Sequence, residues 1–364
     1  MSATKPSERL VSLDAFRGAT IALMVLVNNS GDGTTTYAPL KHAAWHGWTP
    51  TDVVFPSFLW IVGVAITLSL GKRLEAGASK ARLMLQVARR AAILFGLGLL
   101  CYAFPHFDLS TQRILGVLQR IAICYLIASA IYLVTRVRGQ ILWAGGLIAA
   151  YWGLMLVGGS GGWDMEGNFA HVVDRAVLGA HNYAHAKTWD PEGLVSTLPA
   201  ISTALLGILA GQILKRKTEL SERTTWLFLT GNLLIVAGLI LDCWMPINKK
   251  LWTGSFTLFM AGLDFVMLAI SLWLVDGRGY KRAARPAVIF GMNAIAIYMA
   301  SEALSILLDT VKVGARTLHA VIYQDVCLAV ASPYNASLLF AVLFVLSMYG
   351  VAWGMHRRGW YLKV

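Results

Sequence analysis

Apolar residues gather along this chain into ten runs, covering 15–30, 52–70, 84–104, 113–135, 141–158, 194–213, 225–243, 253–275, 286–308 and 335–355. Most approach the roughly 20 residues that a helix needs to cross a hydrocarbon core. The first is shorter and turns polar at its end. Inside lipid a backbone amide finds no water, so apolar runs of this length fold as helices. The pattern predicts an all-α polytopic transmembrane helix bundle, one domain over residues 1–364 with about ten spans. Residues 1–13 form a polar tail, and 159–193 and 310–334 are the longer connections. The tail has no apolar core of a cleavable signal, so the first run is expected to act as an uncleaved anchor.

Composition agrees. Hydrophobic residues make up 57% and charged residues 14%, against about 25% charged in a soluble domain. The net charge of +12 raises the question of a nucleic-acid partner, but Lys and Arg fall in short clusters between apolar runs. They form no basic stripe interleaved with aromatics, which excludes that class. They follow the positive-inside rule instead. With the first residues in the cytoplasm, the tail and every second loop carry Lys5, Arg9, Arg17, Lys72, Arg73, Lys80, Arg82, Arg89, Arg90, Arg136, Arg138, Lys215, Arg216, Lys217, Arg223, Arg278, Lys281, Arg282, Arg285, Arg357, Arg358 and Lys363, or 22 of the 31 basic residues. The opposite loops hold Lys41, Arg175, Lys187, Lys249, Lys250, Lys312 and Arg316. The bias predicts both termini in the cytoplasm. Cys101, Cys124, Cys243 and Cys327 show no metal or disulfide spacing and read as small apolar residues. Glycines inside spans, among them Gly96, Gly98, Gly145, Gly146 and the GxxxG pair Gly207 and Gly211, point to close helix packing.

Polar residues at membrane depth are costly and mark function or an internal pair. Asp14 and Arg17 stand three apart at the inner end of the first run, where a helix would pair them. Asn28 closes that run: it caps a helix, or its amide meets a substrate carbonyl. The segment from Lys41 to Asp52 is the richest, with His42, Trp45, His46, Trp48, Thr49 and Asp52. An imidazole there suits general-base work, since it titrates near neutral pH. Four-residue spacing would put His42 and His46 on one helix face, a weak zinc signal with no third ligand at a recognisable spacing. Interfacial aromatic-belt residues with incidental histidines are the bland alternative. Thr49 or Thr51 fits a helix cap with Asp52 in the first turn. Gln119 and Arg120 follow Gln112 and Arg113 in the fourth run. Seven-residue spacing would place the two arginines on one face, Arg120 about 10 Å deeper, either as an intramembrane ion pair or for an anionic ligand. Asp190 and Glu192 precede the sixth run, Asn248 and Lys249 the eighth, and Asn293 and Glu302 lie in the ninth.

At these residues the chain resembles the heparan-α-glucosaminide N-acetyltransferase family, especially its bacterial NagX-type branch. LDAFRG, VNN and KHAAWHGWTPTDVVFPSFLWIVG carry the likeness, followed in order by RILGVLQRIAICY, DPEGLVSTLPAI, PINKKLWT and FGMNAIAIY, over about residues 10 to 300. The resemblance implies transfer of acetyl from cytosolic acetyl-CoA to an acceptor beyond the membrane: an amine or hydroxyl of an amino sugar or glycan on the periplasmic face of a bacterial inner membrane. It places the family's histidine on His42 and its asparagine on Asn28. His46 stands where the lysosomal enzyme has Asn, and the loop between Asn28 and His42 is longer, so acceptor identity is the least transferable point.

The expected roles follow from both readings. His42 deprotonates the acceptor or carries the acetyl group, and Asn28 donates to the thioester oxygen. Asp14, Arg17, Gln119, Arg120 and Asn293 are assigned to acetyl-CoA. Trp45, His46, Asp52, Glu192, Asn248 and Lys249 are assigned to the acceptor. No bound metal is expected. A pantetheine arm of about 15–20 Å would bridge much of a core about 30 Å thick. The partners expected are membrane lipid and, as the commonest homo-oligomer, a C2 copy. A secondary transporter for a sugar-like solute is the competing class, since broken spans with intramembrane polar residues fit it as well.

Overall fold

The structure is a computed structural model describing residues 10–105, 107–158, 162–183, 186 and 189–362. Lys5, Arg9, Lys187 and Lys363 of the charge pattern lie outside them. The spanning helices are α1 (Val11–Asn28), α2 (Val54–Glu75), α3 (Lys80–Ala103), α4 (Val117–Val134), α5 (Val137–Val157), α7 (Thr197–Leu214), α8 (Leu220–Asp242), α9 (Gly254–Ser271) and α14 (Pro333–Arg357). A π-helical turn, Leu272–Gly277, extends α9. Among the described residues nine helices are long and apolar enough to cross a membrane. The helices α10 (Lys281–Met292) and α11 (Ala294–Thr310) meet at Asn293 with a 72° bend and make a tenth when counted together as one broken span. The sequence predicted one straight run there.

Helix starts follow local chemistry. Ser79 accepts from the Arg82 N–H at the start of α3, and Thr253 caps α9 through the Phe256 N–H. The fourth span begins later than its apolar run, because Gly116 is extended (φ −172°, ψ −170°) and the helix starts at Val117. Arg113 therefore precedes the helix and does not share a face with Arg120 two turns along. The two longer connections are not bare loops. Residues 159–193 contain α6 (Phe169–Leu178), capped by Asn168. Residues 310–334 contain a two-residue hairpin, Lys312–Val313 with Arg316–Thr317, and the short helices α12 (Leu318–Val321) and α13 (Leu328–Val330).

The core is built on α7 and α2, whose apolar windows are 78% and 67% buried, while α8 at 17% faces outward. With no hydrophobic drive inside lipid, packing at short range holds such helices together. Small residues allow it here. A Cβ added to Gly63 would stand 1.9 Å from the Ala204 carbonyl oxygen, and one added to Gly207 would stand 1.9 Å from that of Trp60. Gly211 meets Thr67 and Gly98 meets the Gln119 amide, as close packing predicts. Gly96, Gly145 and Gly146 face open space, so packing does not account for them.

Alternation of the helices gives the bundle two ends. The loop after α1 and the start of α2 lie at one, which carries His42. The other carries Arg17, Arg73, Arg89 and Arg90.

Candidate active site

Two loops meet at the His42 end. Residues 41–49 run beside 246–250, joined by the Gly47 N–H to the Ile247 carbonyl (2.7 Å) and a parallel bridge between Gly47 and Asn248. The start of the second span is set by the expected cap. Thr49 and Asp52 form a reciprocal capping box on the 3-10 turn Pro50–Val53 that leads into α2. That box buries Asp52, leaving it 1% exposed. Its Oδ2 accepts the Ala43 N–H (3.0 Å) and the Thr49 N–H (3.1 Å).

Its Oδ1 lies 2.7 Å from His42 Nδ1. Lys249 Nζ is 3.4 Å from the same oxygen and 3.0 Å from His42 Nδ1. An ammonium cannot donate to a nitrogen that is itself donating. The shorter, charge-assisted contact decides the assignment: Nδ1–H donates to Asp52, and Lys249 pairs with the carboxylate. In the neutral ring that tautomer leaves Nε2 as the nitrogen without a proton. The His42 side chain is 48% exposed. Burial pushes the Lys249 ammonium below its ordinary value, opposed chiefly by Asp52.

His46 is held differently. Asn248 Oδ1 accepts the Leu251 N–H at 2.9 Å, which turns its amide nitrogen toward His46 Nδ1 at 3.4 Å. The two histidines therefore do not share a helix face. Each is tied to its own partner, one through a carboxylate and one through an amide. Trp45 donates to the Trp163 carbonyl and packs edge-on against Trp189 and His171, which stack on each other. Lys250 sits over this cluster, 5.2 Å from the Trp189 ring.

At the arginine end a cavity of about 880 Å³ opens, lined by Arg17, Arg73, Arg89 and Arg90 with Asp14 and Gln86. It runs up α2 from Arg73 to Phe58, about 22 Å at 1.5 Å per residue. Phe58 lies about 9 Å along the helix axis below Asp52. The upper walls are Met24, Ile121 and Tyr298. The cavity thus runs from a cationic mouth to an apolar throat that ends at Phe58, about 9 Å along the helix from Asp52.

The remaining expected site residues fall in three places. Asp14 and Arg17 pair at 3.3 Å and line the cavity. Gln119 and Arg120 are buried on a different face of α4 from its lining residues Leu118, Ile121 and Tyr125. Arg120 Nη2 donates to the Gly193 carbonyl (3.0 Å) and to Ser196, and its guanidinium lies over Trp252. Glu192 joins Asp190 around Arg113. Asn293 is buried at the α10–α11 break beside the cavity wall. Asn28 is the exposed last residue of α1, while Asn29 is buried and donates to the Val25 carbonyl. The structure thus brings together His42, Asp52 and Lys249, with His46 and Asn248 beside them. The Asp52–His42 pairing was not read from sequence, although the cap signature that buries Asp52 was. The stack of His171 on Trp189 left no sequence signal, because α6 lies inside a connection read as loop.

A many-helix bundle with a cationic cavity at one end and a carboxylate-backed histidine at the other defines a polytopic membrane protein with a polar site at each end. Comparison with known proteins specifies it further. The heparan-alpha-glucosaminide N-acetyltransferase catalytic family matches residues 9–240, and the chain belongs to that family. The Homo sapiens heparan-alpha-glucosaminide N-acetyltransferase is 30% identical over 83% of this chain and 54% of its own length. The Mus musculus protein of the same name is 28% identical over 82% and 54%. The chain therefore spans about half the length of these relatives.

Proposed function

We propose that this protein is a transmembrane acyltransferase that moves an acetyl group from cytosolic acetyl-CoA to the amine or hydroxyl of an amino sugar or glycan at the His42 end, most directly a glucosamine-type amine. The observation that carries this reading is the His42 geometry: a surface imidazole whose Nδ1 is bound to a buried carboxylate, leaving Nε2 free to take a proton. The basic loops support an arginine end facing the cytoplasm, and in this proposal the His42 end faces the periplasm of a bacterial inner membrane.

The cavity suits the donor. Its volume falls within the roughly 300–1,000 Å³ of ligand pockets, and four guanidiniums at its mouth match a polyanionic nucleotide. The apolar throat suits the pantetheine arm. In the transfer, the acceptor nitrogen bonds to the acetyl carbon, the carbon–sulfur bond breaks, and coenzyme A leaves as the thiol. His42 Nε2 takes the proton that the amine loses, and that proton passes on to the departing thiolate to give the thiol. Asp52 holds the ring and stabilises the imidazolium that forms. Asn28, at the end of α1 on the same side, is the proposed donor to the developing oxyanion. Trp45, His46, Asn248 and Lys249 form the acceptor's surroundings. Arg113 with Asp190 and Glu192, and Arg120 with Gly193 and Ser196, hold the connection before α7 against the start of α4 in this reading, while Gln119 packs against Gly98 of α3.

Purified protein incubated with labelled acetyl-CoA and glucosamine tests it. Label appearing on the sugar supports the proposal. Uptake of glucosamine into vesicles without label transfer would establish a transporter instead.

A further inference from the structure

Asn293 was expected to touch the donor, yet both ends of its amide are already engaged. Its Nδ2 donates to the Trp360 carbonyl and its Oδ1 accepts the Leu362 N–H, each at 3.0 Å. This is a two-point clasp on alternate residues of a non-helical segment that follows α14. The clasp is buried, Asn293 being 1% exposed. The segment it holds is not: Leu362 is 61% exposed. Leu362 nevertheless forms part of the arginine-lined cavity wall, alongside Gly291, Met292 and Ala294 from the two sides of the break.

The two halves of this arrangement are mounted unequally. The break sits firmly, because Gly291 lies so close to α1 that an added Cβ would stand 2.2 Å from the Asp14 carbonyl oxygen. Asp14 and Arg17 on that helix line the same mouth. Residues 360–362 are tied back to α14 by the Trp360 N–H on the Met355 carbonyl and by Tyr361 on His356. Toward the cavity the Asn293 amide anchors them through its two hydrogen bonds. An exposed segment held by few bonds is the part of a structure that opens at low cost.

We infer that Asn293 is a positioning residue which clasps residues 360–362 as the closing wall of the donor cavity, and that this clasp governs how long coenzyme A stays bound. The inference rests on the reading of the cavity as the coenzyme A site. Asn293 contributes through Leu362 and not through contact with the reacting atoms. Releasing the clasp opens the wall at the cationic mouth, so the nucleotide end of the ligand loses enclosure while His42 and the acceptor loops stay unchanged.

Dissociation of labelled coenzyme A from the full chain in lipid nanodiscs tests this. Asn293→Ala removes two hydrogen bonds and should raise koff on the order of tenfold. Leu362→Ala should raise it in the same direction, with the acceptor KM unchanged in both. A purely structural Asn293 would lower Tm and leave koff alone, which overturns the inference. Should Asn293→Ala fail to fold, Leu362→Cys decides the matter. Its labelling by a maleimide should be slowed severalfold by coenzyme A, and unprotected labelling overturns the proposal. If the unaltered protein binds no coenzyme A, the cavity reading itself falls, and the inference with it.

Discussion

At the scale of single residues the site turns on one carboxylate. Asp52 is buried by a helix cap and still reaches His42, so the same side chain starts α2 and fixes the imidazole. Asp52→Asn keeps the shape and replaces an acceptor by an amide that can present N–H to Nδ1. The wrong tautomer would then be favoured. Acetyl transfer should fall by between about 10- and 10⁴-fold with folded protein retained, measured as initial rate on glucosamine at matched protein level. Unchanged rates would remove Asp52 from the mechanism. The residues were legible in sequence, but the partnership was not, because the positions between His42 and the turn at Pro50–Val53 form a loop whose path no periodicity encodes. Asn28 shows the converse: its place at the end of the first span was readable, while its buried neighbour Asn29 is the one that caps the helix.

At the scale of elements, glycine positions separate packing from coincidence. Gly207→Ala drives a Cβ into the Trp60 carbonyl of α2, and helix backbones cannot yield as a side-chain tip can. A marked drop in Tm in detergent is expected. Gly145→Ala faces open space and should leave Tm unchanged or slightly raised, since glycine inside a helix costs about 0.5–1 kcal/mol relative to alanine. Equal effects would contradict the α2–α7 packing. The sequence marked all these glycines alike, because composition does not reveal which helix face meets a neighbour.

A second element, α6, predicts a pH response. His171 is buried under Trp189, its Nδ1–H donating to the Met165 carbonyl at 2.6 Å. Burial holds its pKa down at about 4, against an ordinary 6.5. A depressed value means that the neutral form is bound in the fold. Its contribution is therefore complete above pH 6.5 and is lost as pH falls toward 4, amounting to about 3 kcal/mol. Tryptophan emission of the Trp45–Trp189 cluster should change over that window, and His171→Phe should abolish the change. A response that persists in the variant would assign it elsewhere.

At the scale of the whole molecule, the apolar runs carried the architecture. Nine spans match expected runs, and the tenth differs because Gly291 and Asn293 let the chain turn where the apolar pattern continues unbroken. The proposed segregation of donor and acceptor to opposite ends makes a prediction about orientation. A cysteine at Asp108, exposed before α4, should react with an impermeant maleimide in intact cells, whereas one at Lys217, exposed between α7 and α8, should react only after lysis. The reverse pattern would put the donor cavity on the wrong side for cytosolic acetyl-CoA.

The central claim is that a carboxylate-backed histidine at one face uses a donor bound from the other. His42 lies in a loop, half exposed, so its removal opens no core cavity. His42→Ala should therefore leave folded protein and coenzyme A binding near the unaltered level and cut acetyl transfer to glucosamine by roughly 10²–10⁴-fold, the usual contribution of a general base. Full transfer by His42→Ala protein, assayed in the same nanodiscs with labelled acetyl-CoA, would contradict the account.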